Sequence, residues 1–215
     1  MSSIVWLEDN DYEFPPVAQA LSDPDGLLAA GGSLSPEILL KAYRHGIFPW
    51  YSEGQPVLWW SPDPRFVLFP EKLKISRSLK KTLNKKVFGI RQDTAFREVM
   101  LNCAKPRKDD AGTWITHNML EAYCRMHELG YAHSIECWHD DELVGGLYGI
   151  ALGEMFFGES MFSKQNDASK VALVYLCNNV KPKLIDVQVY SSHMERMGAE
   201  MIPRARFIEY LNRYL

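Results

Sequence analysis

Three strand-like segments follow one another closely in the second half of this chain. Residues 132–138, 143–152 and 155–162 are rich in apolar and β-branched side chains, and only short turns separate them. Connections this short join antiparallel neighbours. A helical pattern over residues 168–180 and an apolar strand over residues 184–190 come next. The sequence therefore predicts an antiparallel meander followed by a helix and a further strand.

Helical segments flank this meander on both sides. A basic helix over residues 76–84 and a pair of helices after residue 93 precede it, and a helix over residues 204–213 ends the chain. Helices grouped around a largely antiparallel sheet are typical of the α+β class. The order of elements resembles the acyltransferase fold called GNAT, in which a helix follows the meander and a central strand follows that helix.

The first 63 residues differ in character from the rest. Ser35, Pro36 and Glu37 predict a helix start, because they supply a cap, a proline at the first helical position and an acid in the first turn. Segments rich in glycine, proline and aromatic residues surround this helix. We predict a small, loop-rich N-terminal domain over residues 1–63, which is too small to bury much core alone. It should dock onto a GNAT-like catalytic domain over residues 64–215.

Composition argues for a cytoplasmic protein. Of the 215 residues 47% are apolar, yet no stretch approaches the ~20 consecutive apolar residues that a membrane span needs. The N-terminus lacks the basic region and apolar run of a secretory signal. No two of the four cysteines have the CxxC spacing, so buried thiols in a reducing compartment are expected rather than a zinc or redox site.

The strand over residues 184–190 carries an acid and an amide among apolar neighbours. Because side chains alternate along a strand, Asp186 and Gln188 are predicted to share one face, opposite the β-branched residues Ile185, Val187 and Val189. Burying either group without a partner costs about 1–3 kcal/mol or more. The pair therefore indicates a structural hydrogen-bond network or a functional site, and the strand alone does not decide between them.

A third polar position lies in the last strand of the meander. Alternation places Glu159 and Met161 on one face of that strand. An acid among aromatic residues and methionines is either a salt-bridge partner or a binder of a cationic substrate. Both interpretations stay open from spacing alone.

A basic stripe marks the helix over residues 76–84. Residues 71–86 include seven basic side chains and one acidic side chain, although the whole chain has a net charge of −3. Arg77, Lys81 and Lys85 recur every four residues and Lys80 adjoins them, with leucines on the opposite side. Such a stripe suits a phosphate backbone. It is also typical of an ordinary solvated helix face.

The glycines of this chain do not form a nucleotide-binding loop. Gly145, Gly146 and Gly149 lie within a predicted strand, where they favour close backbone approach in a sheet. A GNAT enzyme that uses acyl-coenzyme A needs glycine-rich backbone amides at a helix N-terminus to hold the pyrophosphate. Residues 162–168, which precede the relevant helix, contain no glycine. This argues against coenzyme A.

Five motifs together resemble those of the leucyl/phenylalanyl-tRNA–protein transferases, from about residue 14 to residue 211. They are Gly46-Ile47-Phe48-Pro49-Trp50, Trp59-Trp60-Ser61-Pro62-Asp63-Pro64-Arg65, Gly112-Thr113-Trp114-Ile115-Thr116, Gly158-Glu159-Ser160-Met161-Phe162-Ser163 and Ile185-Asp186-Val187-Gln188-Val189. The resemblance implies a bacterial cytoplasmic enzyme that moves leucine, phenylalanine or methionine from aminoacyl-tRNA to the N-terminal Arg or Lys of an acceptor protein. It marks that protein for N-end rule degradation.

The resemblance also implies which residues form the site. We expect no cofactor, no metal, no membrane association and a monomer. Catalytic roles fall on Asp186, Gln188 and Glu159. Substrate contacts fall on Trp50, Trp114, Leu147 and Met161, and tRNA contacts on the basic stripe, Arg77, Lys80, Lys81 and Lys85.

The expected chemistry is simple because the aminoacyl ester is already activated, so neither a metal nor ATP is required. Asp186 either orients Gln188, whose carbonyl accepts a proton from the attacking amine, or holds the ammonium or ribose directly. Two other functions remain as alternatives: an N-acyltransferase that uses acetyl-coenzyme A, and a non-catalytic RNA-binding module.

Overall fold

The computed structural model describes residues 4–9, 13–105 and 115–215. Within these ranges the chain forms two β-sheets flanked by seven α-helices. No helix in the described ranges is long and apolar enough to span a membrane.

The first sheet lies in the N-terminal region. Its strands are β1 (Val5–Leu7), β2 (Leu27–Gly31), β3 (Phe48–Pro49) and β4 (Leu58–Trp60), in the order β1-β2-β4-β3. Helix α1 (Pro36–Arg44) connects β2 to β3, and the Ser35 hydroxyl accepts a hydrogen bond from the Ile38 backbone N–H as predicted. The loop-rich prediction was therefore incomplete, because strands of two to five residues are too short to give an alternation signal.

The second sheet has seven strands. They are β5 (Arg65–Leu68), β6 (Gly89–Gln92), β7 (Ala132–His139), β8 (Glu142–Leu152), β9 (Met155–Ser163), β10 (Leu184–Gln188) and β11 (Glu200–Ile202), in the order β11-β5-β10-β9-β8-β7-β6. Strands β7, β8 and β9 form the predicted antiparallel meander, whereas β10 runs parallel to β9. A parallel neighbour needs a crossover, and the helix after the meander supplies it.

Six further helices cover the second sheet and the chain end. They are α2 (Arg77–Lys85), α3 (Phe96–Cys103), α4 (His117–Glu128), α5 (Ala168–Tyr175), α6 (Ser192–Arg196) and α7 (Arg204–Tyr214). One apolar cluster joins β8 to α3 and α4, and a second joins β8 to α2 and α5. This order of helix pair, meander, helix, strand and helix confirms the predicted α+β class.

The N-terminal region shares the first of these clusters. Leu28, Tyr43 and Trp59 belong to the same buried apolar cluster as Tyr123 and Phe207. The N-terminal sheet is thus held by packing against the larger sheet, as expected for a segment too small to bury a core alone. The division of the chain at residues 63 and 64 into two domains stays a prediction.

Glycines of β8 allow close approach within the sheet, as predicted, and also between the sheet and its crossover helix. A Cβ atom at Gly145 would lie 2.4 Å from the Ala168 Cβ of α5. A Cβ atom at Gly149 would lie 2.2 Å from the Phe157 backbone oxygen of the neighbouring strand. The second clash involves backbone, so no side-chain rotation relieves it.

Replacing Gly149 by Ala should therefore lower the free energy of unfolding by about 2–3 kcal/mol, because β8 and β9 must separate to admit the methyl group. Urea denaturation measures this loss. Gly89→Ala is the control, because a Cβ atom at Gly89 meets nothing closer than the Trp138 oxygen at 3.8 Å. Equal stability of the two variants would contradict the account.

Candidate active site

A cavity of about 910 Å³ opens where strands β9 and β10 separate. The two strands pair from Leu184–Met155 to Asp186–Phe157, and the pairing ends there. Residues of β9 after Phe157 and of β10 after Asp186 line the cavity. The end of the parallel pairing therefore creates the space.

The cavity has two chemically different sides. One is apolar and belongs to the cluster under α5; it is formed by Leu147, Phe156, Met161, Leu173, Leu176, Ile185 and Met194. The other borders the N-terminal sheet and α3, and is formed by Phe48, Trp50, Asn102, Cys103, Lys105, Tyr148 and Phe162. Five of the predicted site residues thus line one cavity: Trp50, Leu147, Glu159, Met161 and Gln188.

Glu159 is the acidic group of this wall. Its side chain is buried, and it accepts hydrogen bonds from Tyr43 at 2.7 Å, Tyr123 at 3.2 Å and the Gln188 Nε2 at 2.8 Å. Burial raises the pKa of Glu159 from 4.5 to about 7, against the opposing effect of these hydrogen bonds. No Lys or Arg within the described ranges pairs with it. The salt-bridge alternative is therefore not realised there.

The two tyrosines that hold Glu159 also contact each other. The hydroxyls of Tyr43 and Tyr123 are hydrogen-bonded, and both side chains are fully buried. Burial, followed by the charge of Glu159, raises the pKa of each tyrosine well above its ordinary value. Both hydroxyls therefore remain protonated, and each has one proton to donate, either to Glu159 or to the other hydroxyl.

A bulge determines the direction of Glu159. The pairing of β8 with β9 shifts between Tyr148 and Gly149, which face Ser160 and Gly158, and leaves Glu159 as the extra residue. As a result Glu159 bonds the tyrosines of one cluster, whereas Met161 packs against the other. The prediction that these two side chains share a strand face was wrong, because simple alternation fails at a bulge.

Gln188 has an unusual backbone. Its φ is 70°, in the left-handed region that a non-glycine residue rarely adopts, and the pairing of β10 with β5 shifts between Asp186 and Gln188. The backbone N–H donates to Asp186 Oδ1 at 2.9 Å. The side-chain Nε2 donates to Glu159, which fixes the orientation of the amide. The described residues leave its Oε1 without a hydrogen-bond partner.

Asp186 lies behind the cavity wall. Its side chain is fully buried and forms a two-point ion pair with Arg65, from Nε to Oδ1 at 2.8 Å and from Nη2 to Oδ2 at 2.6 Å. The prediction that Asp186 and Gln188 project from one regular face was wrong, because the strand is irregular between these two residues: Asp186 is directed to Arg65 and Gln188 to the cavity. Val187 and Val189, predicted as core, also line the cavity.

Of the remaining predicted residues, Trp50 lines the cavity. Trp50 is 41% exposed and its ring contacts Trp60 at a centroid distance of 5.7 Å. Trp114 lies outside the described residues. The basic stripe, Arg77, Lys80, Lys81 and Lys85, is exposed on α2 and does not line the cavity. Helix α2 contacts α5 through Thr82 and Asp167, so the stripe lies one helix away from the cavity.

Nothing in the sequence indicates the contacts that three residues of this arrangement make. Tyr43 and Tyr123 occupy ordinary apolar positions of two helices, and Arg65 follows a proline-rich loop. Only the fold brings them to Glu159 and Asp186. Within the described ranges, no three His, Cys, Asp or Glu side chains form a group that could hold a metal ion.

Known proteins resemble this chain over nearly its whole length. A family model described as leucyl/phenylalanyl-tRNA protein transferase matches residues 67–212, and one described as the N-terminal domain of that transferase matches residues 32–63. A leucyl/phenylalanyl-tRNA–protein transferase from Aromatoleum aromaticum is 60% identical over 207 residues, 95% of this chain and 87% of that protein. One from Stutzerimonas stutzeri is 55% identical over 215 residues, 99% of this chain and 95% of that protein.

Solved structures resemble the chain more distantly. A GCN5-related N-acetyltransferase from Kribbella flavida has a TM-score of 0.40 and 10% identity, and the match covers 79% of this chain and 61% of that one. A protein of unknown function from Staphylococcus epidermidis has a TM-score of 0.45 and 12% identity, over 82% of this chain and 68% of that one.

The raised pKa of Glu159 predicts how stability depends on pH. The unfolded chain loses this proton near pH 4.5 and the folded chain only near pH 7, so the free energy of unfolding should fall as the pH rises between these values. Across this pH range the titration of Glu159 changes the free energy of unfolding by about 3 kcal/mol in total. The Glu159→Gln variant cannot titrate at this position, so it lacks this pH-dependent part of the unfolding free energy.

Urea denaturation of both proteins from pH 4 to pH 8 checks this. The difference in unfolding free energy between wild type and Glu159→Gln should change across the window, with wild type becoming relatively less stable at higher pH. A difference that stays constant with pH would contradict the assigned pKa.

Proposed function

Because the chain belongs to the leucyl/phenylalanyl-tRNA–protein transferase family, we propose that the cavity between β9 and β10 is where its aminoacyl transfer takes place. The protein is an aminoacyltransferase that moves an amino acid from aminoacyl-tRNA to a protein. The observation that carries the proposal is the meeting of an apolar wall with the Glu159–Gln188 pair in one cavity. An aminoacyl ester and an amine need both surfaces.

The apolar side takes the amino-acid side chain. Leu147 and Met161 lie on it, and its other members are also aliphatic, sulfur-containing or aromatic. Burying a leucine or phenylalanine side chain there is worth about 1.5–3 kcal/mol. The flexible side chain of Met161 adapts to either shape. This supports leucine, phenylalanine and methionine as the transferred residues.

The opposite side takes the terminal nucleoside of the tRNA. Trp50 presents an exposed ring at the cavity, and an indole face stacks on a base at about 1–3 kcal/mol. Trp114 is assigned the same role from its motif alone. Stacking on the Trp50 ring does not depend on which base is present. It therefore holds the end of the tRNA without distinguishing one tRNA from another.

Gln188 and Glu159 act on the attacking amine. The Gln188 Oε1 accepts a hydrogen bond from the neutral amine and directs its lone pair at the ester carbon. A carboxamide is too weak a base to keep the proton, whereas Glu159, with a pKa of about 7, takes up a proton near neutral pH. The new C–N bond forms, the C–O bond to the ribose breaks, and the amine proton passes through Glu159 to the leaving ribose oxygen.

Glu159 also favours a cationic acceptor. Its carboxylate is buried on the cavity wall and has no cationic partner among the described residues. An N-terminal Arg or Lys supplies that charge, which lowers the pKa of Glu159 and holds it in the ionised form that can accept the amine proton. This supports acceptors that begin with Arg or Lys, the acceptors of the N-end rule pathway. We place the enzyme in the cytoplasm as a monomer that needs no cofactor.

The basic stripe of α2 binds the tRNA backbone. Arg77, Lys80, Lys81 and Lys85 are exposed, and none of them pairs with an acid among the described residues. Unpaired cations are free to replace the counterions of a phosphate backbone. Since α2 packs on α5, which borders the cavity, one tRNA can reach both surfaces.

A transfer assay tests the proposed function. Labelled leucyl-tRNA or labelled acetyl-coenzyme A is mixed with the protein and with an acceptor that begins with Arg. We expect label to move from the tRNA only, and RNase treatment before mixing should abolish the transfer. The control is the same acceptor with its N-terminal amine blocked. Labelling from acetyl-coenzyme A alone would reject the proposal in favour of an N-acetyltransferase.

Charge removal on α2 tests tRNA binding. The double variant Lys80→Ala, Lys81→Ala should raise the KM for leucyl-tRNA about tenfold or more and leave kcat at saturation unchanged. The slope of log affinity against log salt should decrease by about 1.4–1.8, because two phosphate contacts are lost. The matched control removes two exposed cations elsewhere, Arg125 and Lys183. Equal salt slopes in both double variants would show that α2 does not contact the tRNA.

A further inference from the structure

Arg65 is a buried cation for which the reaction has so far supplied no role. Arg65 is the first residue of strand β5, and its side chain is 1% exposed. The guanidinium carbon lies 4.6 Å from the ring centroid of Phe48 and 4.7 Å from that of Phe207, so two aromatic rings hold it. Its Nη1 donates to the Gly46 carbonyl at 3.2 Å.

The other two nitrogens of this guanidinium donate hydrogen bonds to Asp186. Nε and Nη2 approach one carboxylate oxygen each, at 2.8 Å and 2.6 Å. The oxygen bonded to Nε also accepts the backbone N–H of Gln188. A planar guanidinium in a two-point pair fixes the rotation of the carboxylate, which a lysine ammonium cannot do. Arg65 therefore sets the position of the acceptor that holds the Gln188 backbone.

Gln188 needs such an external restraint. Its left-handed backbone is unfavourable for a residue with a Cβ, and a strand continuing regularly from Asp186 would place its side chain on the same face as Asp186, away from Glu159. In the observed conformation the amide reaches Glu159 and its Oε1 remains available in the cavity. The chain of contacts runs from Arg65 through Asp186 to Gln188 and Glu159.

We propose that Arg65 is a positioning residue for the transfer reaction, which acts through Asp186 to hold the Gln188 amide toward the attacking amine. This inference rests on the proposed function, since it assigns Gln188 to the amine. It also assigns Asp186 to positioning, because no part of that carboxylate reaches the cavity. A buried ion pair is weak evidence for a gain in stability, whereas a fixed geometry at the reacting group is what this pair provides.

A purely structural role makes a different prediction. Arg65 also links Gly46 and Phe48 of the N-terminal region to Phe207 of α7, so it could simply fasten these segments together. If Arg65 only joins these segments, its replacement lowers stability and leaves the kcat of the folded protein unchanged. Losing a positioning residue lowers kcat at temperatures where the protein is fully folded.

The variant Arg65→Lys keeps the charge and removes the two-point pair. We expect kcat for leucyl transfer to fall about 100-fold with a KM for leucyl-tRNA close to that of wild type, as for a small misplacement of a reacting group. Arg204→Lys is the matched control, because the Arg204 side chain also joins distant segments, through the Ser61 carbonyl and the Asp63 carboxylate, and does not line the cavity. It should lose stability and keep its kcat. If the kcat of Arg65→Lys stays within about threefold of wild type, the proposal is overturned.

A double-mutant cycle locates the effect. If Arg65 acts through Gln188, adding Arg65→Lys to Gln188→Ala should not lower kcat further. If the double variant instead lowers kcat by the product of the two separate effects, the proposal is overturned. If Arg65→Lys does not fold, Asp186→Asn takes its place: a loss of at least tenfold in kcat supports the proposal and an unchanged kcat overturns it. Absence of transfer by wild type would instead reject the proposed function.

Discussion

The parallel pairing of β9 with β10 stops after Asp186, and the proposed active site depends on that interruption. Each strand carries an irregularity just beyond it: a bulge at Glu159 on β9 and a left-handed residue, Gln188, on β10. The two side chains are turned toward each other and bond across the gap. Continued pairing would have closed the space and directed both groups elsewhere. The end of the β9–β10 pairing therefore forms the cavity and also places Glu159 and Gln188 on its polar wall.

Burial gives the polar wall its chemistry at some cost in stability. Glu159 is surrounded by two tyrosine hydroxyls and one amide, which satisfy its oxygens without supplying a cation. Its pKa is raised to about 7, so the ionised form is unfavourable in the folded protein. Nearby, Arg65 and Asp186 neutralise each other and hold the Gln188 backbone. Charge is thus balanced behind the wall, whereas Glu159 at its surface has no cationic partner among the described residues.

The sequence predicted the order of elements and most of the wall, but not its shape. Apolar alternation and helical spacing gave the meander, the crossover helix and the strand that contains Asp186 and Gln188. The same alternation misplaced these two side chains, because a bulge depends on what the neighbouring strand does and not on the strand's own pattern. Arg65 lies 121 residues before Asp186, and Tyr43 lies 116 residues before Glu159. Contacts over such separations follow only from the fold.

The most direct test of the central claim is a crystal structure of the protein with leucyl-adenosine in which an amide replaces the reactive ester. The account predicts that the leucyl side chain lies between Leu147 and Met161 and the adenine stacks on Trp50. The Gln188 Oε1 should then point at the carbonyl carbon from the side that the amine must approach. A ligand bound outside the gap between β9 and β10, or one that leaves Gln188 and Glu159 remote from the carbonyl, would contradict it.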